Sequence, residues 1–337
     1  MRLIFGVGAA LAVLAACGPT TPAGPTAEAI AKNSADLVAY LDAEYEEELQ
    51  FSPQEMTSQG RKDKYGELDD RSEAGLQKVL DWRRESVADM KTKFKPEELS
   101  EDARLSYEIW DLELSRAEKR AQFRRHGYIF GRNGAHTGLP NFLITQHRVT
   151  EKSDMDAYIS RVAAIGPALD QLLDRAKVAA DEGIRMPGFA YDQTTSEIAR
   201  VTAGAPFGGK GDSALFGDGK KKIAELQTAG KITAEEAKAL EGQLSAAMTE
   251  KMKPAYDRVA AWVAEDKKNA SPQPQGAGAL PNGVEYYNAM LNLQTTTDMT
   301  ADEIHQLGLS EVARIRGEME KVKEAAGFKG TLEEFFV

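Results

Sequence analysis

Apolar residues along this chain recur at intervals of three and four, and alternating runs are scarce, so the pattern predicts a mainly α-helical protein with little or no strand. The clearest stretch begins at Ser153, where Met155, Tyr158, Ile159, Val162, Leu169, Leu172 and Leu173 share one helical face. Residues 27–50 carry Leu37, Tyr40, Leu41 and Tyr45 at the same spacing, and Pro53 ends the run. Residues 72–90 and 100–123 follow suit, with Ser100 placed to cap the acidic first turn at Glu101 and Asp102. Thr233 and Glu236 form a capping box that opens a long helix to about Lys267, which Pro254 should kink or divide. Thr300 and Glu303 form a second one. It opens 301–326, with Ile304, Leu307, Val312, Ile315, Met319 and Val322 on one face and Gly327 as the stop. Tyr128–Phe130 and Phe142–Thr145 are at most short strand-like patches. The expected loops are 131–140, 186–192, 204–219 and 269–283, and the glycine-rich 204–219 is expected to be mobile.

The first residues read differently. Met1-Arg2 precedes an apolar run from Leu3 to Ala16, with small residues before Cys17, which is the layout of a secretory signal. Leu14-Ala-Ala-Cys17 resembles a bacterial lipobox, so residues 1–16 are expected to be a signal peptide and Cys17 the lipidated mature N-terminus. An ordinary signal peptide with a chance cysteine is the alternative. Gly18 shows no inner-membrane retention signal. Residues 17–26 then form a polar Pro/Thr/Gly tether, and 27–337 the helical body. The expected location is the cell envelope, anchored to the outer or inner membrane and facing the periplasm.

Composition narrows the chemistry. Cys17 is the only cysteine, so a lipidated chain has no thiol left for disulfides, metal ligation or catalysis. A net charge of -11 argues against nucleic acid as a partner. The four histidines are His126, His136, His147 and His305, and no two stand four apart as a His-Glu-x-x-His zinc helix requires. Asp302 and His305 have ligand-like spacing without a second such motif to complete a site. Residues 204–211 nearly match a phosphate-binding loop, but Gly211 stands where the Ser or Thr should be. The densest polar stretch is 131–147. It offers His136, Asn141, Gln146 and His147 as substrate-cleft candidates, with turn-forming glycines and hydrogen-bonding caps as the plainer alternative. No residue is assigned as catalytic, and none as a metal ligand.

Four blocks carry a resemblance: Leu280-Pro-Asn-Gly-Val-Glu-Tyr-Tyr287, Gln294-Thr-Thr-Thr-Asp-Met-Thr300, Glu303-Ile-His-Gln-Leu-Gly-Leu309 and Glu311-Val-Ala-Arg-Ile315. With Leu139-Pro-Asn-Phe-Leu143, Asp154-Met-Asp-Ala-Tyr-Ile159 and Phe51-Ser-Pro53, they resemble the domain-of-unknown-function (DUF) 885 family. That resemblance implies bacterial, often lipid-anchored, gluzincin-like zinc metallopeptidases, mainly helical, with a deep substrate cleft. It implies zinc as the cofactor of full-length members and peptides as substrates. The family's zinc segment lies beyond the matched region, so no residue here inherits a role in it. The expectation is that this chain is the N-terminal part, one side of the cleft, and inactive alone. Thr331 followed by Glu333 and Glu334 opens a helix that the chain barely enters, which reads as truncation; docking of Phe335, Phe336 and Val337 on the core is the alternative. The other reading is a non-enzymatic helical lipoprotein that binds peptides or envelope partners. Substrate preference and oligomeric state are not legible.

Overall fold

Seven of the described helices begin for the same physical reason. The side-chain oxygens of Thr26, Ser72, Ser100, Ser213, Thr233, Thr300 and Thr331 each accept the backbone N–H three residues on, satisfying a donor that the helix start would otherwise leave bare. At Thr233 and Thr300 the glutamate three residues later bonds back, completing both expected capping boxes. In this computed structural model residues 24–337 are described. Cys17, the signal segment and most of the tether lie outside the described residues.

The helices in chain order are α1 (Ala27–Leu49), α2 (Pro53–Ser58), α3 (Glu73–Lys93), α4 (Glu101–Gln122), α5 (Ala135–Gln146), α6 (Lys152–Asp181), α7 (Gly188–Val201), α8 (Ala214–Thr228), α9 (Ala234–Ala246), α10 (Lys253–Asp266), α11 (Gly283–Thr295), α12 (Ala301–Ala325) and α13 (Leu332–Phe335). No strand occurs among the described residues, only two isolated bridges near Gly204. None of the described helices is long and apolar enough to cross a membrane.

α6 is the spine. Its predicted face is buried at Met155, Tyr158, Val162, Leu169, Leu172 and Leu173, against α5, α8, α9, α10 and the turn at Ala247–Met252 that precedes α10. Full burial of such a side chain contributes on the order of 1.5–3 kcal/mol, so this face dominates the stability of the larger core. A second core joins α1, α3 and α4 through Leu37, Val87, Met90 and Tyr107. Polar bonds tie it to the spine: Gln171 accepts the Arg71 N–H at 2.9 Å, and Arg175 bonds Glu73 at 3.1 Å and the Arg71 carbonyl at 3.1 Å.

Several expected loops are shorter than read. Residues 131–140 were expected to be a loop and Phe142–Thr145 a strand-like patch; instead α5 runs through both, with Pro140 inside it. Pro140 lacks the N–H that would bond the carbonyl of His136. The Tyr256 hydroxyl donates to that carbonyl at 2.5 Å instead, so the helix tolerates the proline. The expected loop 204–219 gives way to α8 at Ala214. Gly219 there is a packing residue, because a Cβ would lie 2.3 Å from the Leu244 methyl. The expected loop 186–192 likewise ends at α7, whose Gly188 N–H bonds Ser271 carbonyl at 3.0 Å. Pro254 divides its helix as expected, with a π-helical turn over Ala247–Met252 before it.

α12 is amphipathic as read, with Gly327 ending it at a φ of 75°. Yet no residue of α12 is buried, and Leu307, Val312, Ile315, Met319 and Val322 face solvent. Val312 is 66% exposed. α13 packs on part of this face through Phe335, while Phe336 and Val337 stay exposed.

Candidate substrate cleft

The four residues singled out in 131–147 do not converge. His136 sits in the first turn of α5 and His147 caps its other end, while Asn141 and Gln146 point to solvent. His136 is fully buried; its Nε2–H donates to Glu197 at 2.7 Å, and its Nδ1 is buried without a partner. Burial lowers its pKa against the pull of Glu197, whose own carboxyl is kept low, despite partial burial, by His136 and Gln193. The pair resembles a base and its orienting acid, but the free nitrogen opens onto no solvent.

His147 is fixed from both sides. Its Nε2–H donates to the Asp154 carbonyl at 3.0 Å, so Nδ1 carries the lone pair that accepts from Arg161 at 3.1 Å. Tyr65 stacks on the ring, Tyr158 meets it edge-on, and Lys222 approaches from α8. Burial, then the charges of Arg161 and Lys222, push its pKa down to about 4, opposed by Asp154. The unfolded chain then binds the extra proton first, so stability from this group is complete above pH 6.5 and is lost as the pH falls toward 4. The full loss is about 3 kcal/mol by linkage. The melting midpoint should fall across that window, and His147→Gln should flatten the fall; an unchanged profile would place the titration elsewhere.

The structure instead assembles a trough that sequence reading missed. One cavity of about 450 Å³ lies between α3, α4 and α6, walled by Phe51, Leu76, Leu80, Arg71, Arg120 and Arg175. It shares Ala121 and Arg124 with a second, of about 600 Å³, beside Glu73, Arg125, Glu182 and Asn282. His126 joins that one to a third, of about 480 Å³, under residues 269–280 and lined by Tyr128, Arg185, Met186 and Tyr286. His126 donates from Nε2 to the Pro281 carbonyl at 2.7 Å and stacks on Tyr286 with ring centres 4.7 Å apart. Its Nδ1 is buried without a partner. α11 is held along α4 by Arg116, which bonds the Leu293 carbonyl at 3.1 Å, and by Lys119 on Asn292.

One signal was available. Arg116, Arg120 and Arg124 recur every four residues, a helical spacing; the first two share a face of α4, Arg124 follows just past its end, and Arg120 and Arg124 line the trough. The trough combines apolar walls, guanidinium donors and amide-bearing loop residues, a mixture suited to an extended chain with polar backbone and apolar side groups.

The histidines do not fit a hydrolytic zinc centre. His126 is spent on a carbonyl, His147 on a carbonyl and a guanidinium, and His305 lies exposed on α12. His136 has one carboxylate beside it, and no group of three metal-binding side chains gathers among the described residues. No step is therefore derived through a metal held by these residues.

No curated protein matches the chain. The crystal structure of the "putative lipoprotein" from Colwellia psychrerythraea matches with a TM-score of 0.68 at 17% identity, a likeness of fold. The match covers 90% of this chain and 53% of that one, so this chain spans about half the length of that relative. The profile of a family described as "Bacterial protein of unknown function (DUF885)" matches residues 53–337, more than four-fifths of the sequence. The chain belongs to that DUF885 family of bacterial proteins.

Proposed function

We propose that this chain is the substrate-holding N-terminal portion of an exported, lipid-anchored peptide hydrolase of the DUF885 family. The observation that carries this reading is the row of three adjoining cavities from Phe51 to Tyr286, each sharing wall residues with the next, which lies within the family match at 53–337 at all but its first two wall residues. Apolar walls would take side chains, and Arg124, Arg125, Ser271 and Gln273 would bond a peptide backbone or its carboxylates. The chemistry of bond cleavage is assigned to residues outside this chain, because His126, His136 and His147 are engaged in structural bonds, His305 stands alone on α12, and no three metal-binding side chains gather among the described residues. The solved relative has about twice the matched length, and the exposed apolar face of α12 suits a further helical segment of a family-length protein. Lipid attachment at Cys17 would hold the trough at the membrane facing the periplasm.

The test uses the chain with Cys17→Ser, which should leave the membrane fraction for the soluble one. A fluorescent peptide mixture should bind it saturably, and zinc should bring no peptide turnover. Turnover by the isolated chain, or no peptide binding, would contradict the proposal. Peptide binding without turnover even in a family-length protein would favour the non-enzymatic binding lipoprotein.

A further inference from the structure

We propose that the Arg71 end of the trough is a binding site for a carboxylate carried on an apolar group. The proposal deepens the trough reading by assigning chemistry to one end of it, and its test uses small carboxylates rather than peptides. A failure here therefore leaves peptide binding along the rest of the trough standing.

The cavity is two-sided. Phe51, Leu76, Val79 and Leu80 make one wall, while Arg71, Arg83, Arg120, Arg124 and Arg175 line the other, with Asp69, Asp70 and Glu113 among them. The neighbouring carboxylates are already committed. Glu73 is shared by Arg175 at 3.1 Å and Arg124 at 3.4 Å. Glu113 is shared by Arg116 at 3.1 Å and Arg120 at 3.7 Å, and Glu48 pairs with Arg83. Asp70 accepts the Ser72 N–H at 3.0 Å. Asp69 accepts the Gln54 N–H at 3.1 Å and stands 3.8 Å from Arg71, beyond hydrogen-bond reach.

Arg71 is therefore under-satisfied. Its Nη2 donates to Gln54 at 2.7 Å, but its Nε is buried with no acceptor. A buried donor without an acceptor is a penalty, and a turn of the guanidinium toward the cavity would bring that donor to an incoming anion. Burial works against the charge of Arg71; Asp69 outweighs the repulsion from Arg175 but leaves the burial penalty uncompensated, and an anion would oppose that penalty. A guanidinium presents a planar fork that matches a carboxylate in two parallel bonds. The apolar wall beside it has no use for a bare inorganic anion, and would hold an aliphatic group attached to the carboxylate.

That chemistry has two sources, the C-terminus of a peptide and a free acyl chain. Calorimetric titration with N-acetyl-leucine, N-acetyl-leucinamide and octanoate separates them. At least one carboxylate should bind saturably, at least tenfold more tightly than the amide. The tighter of the two identifies the source. Arg120→Met, at a half-exposed position that leaves the fold intact, and Arg71→Met should each weaken binding about tenfold, corresponding to ~1.4 kcal/mol. Arg258→Met, at a surface pair with Asp170 outside the trough, should leave it unchanged. Equal binding of acid and amide, no binding of either carboxylate, or full affinity in both trough variants would overturn the proposal.

Discussion

Gly166→Ala is expected to lower the unfolding free energy by about 2 kcal/mol, although alanine is the better helix former. Gly166 lies buried in α6 where the helix crosses the π-helical turn before α10. A Cβ there would sit 2.5 Å from the carbonyl oxygen of Lys251 and 3.2 Å from its carbon. Both are backbone atoms, so relief requires one helix to move away from the other. This crossing lies in the centre of the larger core, beside Met248 and Met252, both fully buried, so separation would open the best-packed part of the molecule. Gly242→Ala is the internal comparison. It lies on the exposed side of α9 with nothing within 4 Å of the new Cβ, and should stabilise by roughly 0.5–1 kcal/mol. Chemical unfolding of both variants measures the contrast. Two variants of equal stability would mean that α6 does not meet the turn as closely as described.

Arg161→Met should have the larger effect, a loss of about 3–5 kcal/mol. Arg161 is fully buried. It donates to the Glu67 carbonyl at 2.7 Å, the Pro53 carbonyl at 3.1 Å and His147 at 3.1 Å, and lies over the rings of Tyr65 and Phe142. Burial lowers its pKa to about 10, which still leaves it charged at neutral pH. Methionine would fill much of the volume but strip the Glu67 carbonyl and the buried His147 ring nitrogen of their donor and leave the Pro53 carbonyl to the Thr57 hydroxyl. Lysine should not rescue, since one ammonium cannot reach three acceptors spread along a guanidinium fork. The variant also removes a positive charge facing Nδ1 of His147, so that histidine should titrate above about 4 in whatever folded population survives. Unfolding at neutral pH and NMR titration of the His147 ring check the two halves. Stability within ~0.5 kcal/mol of the original would show that the three bonds carry no net weight.

How much of this was legible depended on what each residue had to satisfy. The α6 stripe was readable because every three-and-four position meets another helix. The Thr233 and Thr300 capping boxes were readable because a cap is a local bond. α5 was misread because Pro140 and Gly134 look like loop residues, and the hydroxyl that excuses the proline comes from Tyr256, distant in sequence. Gly219 fell in the glycine-rich stretch expected to be a mobile loop and is a close contact with Leu244. The apolar face of α12 was plain in the pattern, but periodicity shows which side is apolar and not whether anything covers it. His136 and His147 drew attention as chemical residues, yet the bonds that occupy them come from Glu197 on α7 and Arg161 on α6. The trough was hidden for a similar reason. Its walls come from α3, α4, α6, residues 269–280 and α11, and only the arginine spacing on α4 hinted at a shared face.

Hydrogen–deuterium exchange of the Cys17→Ser chain, with and without saturating peptide, bears most directly on the trough as the substrate-holding surface. Added peptide should slow exchange in residues 70–80, 113–128 and 269–287. Slowing confined to α12 and α13, or none anywhere, would contradict the assignment.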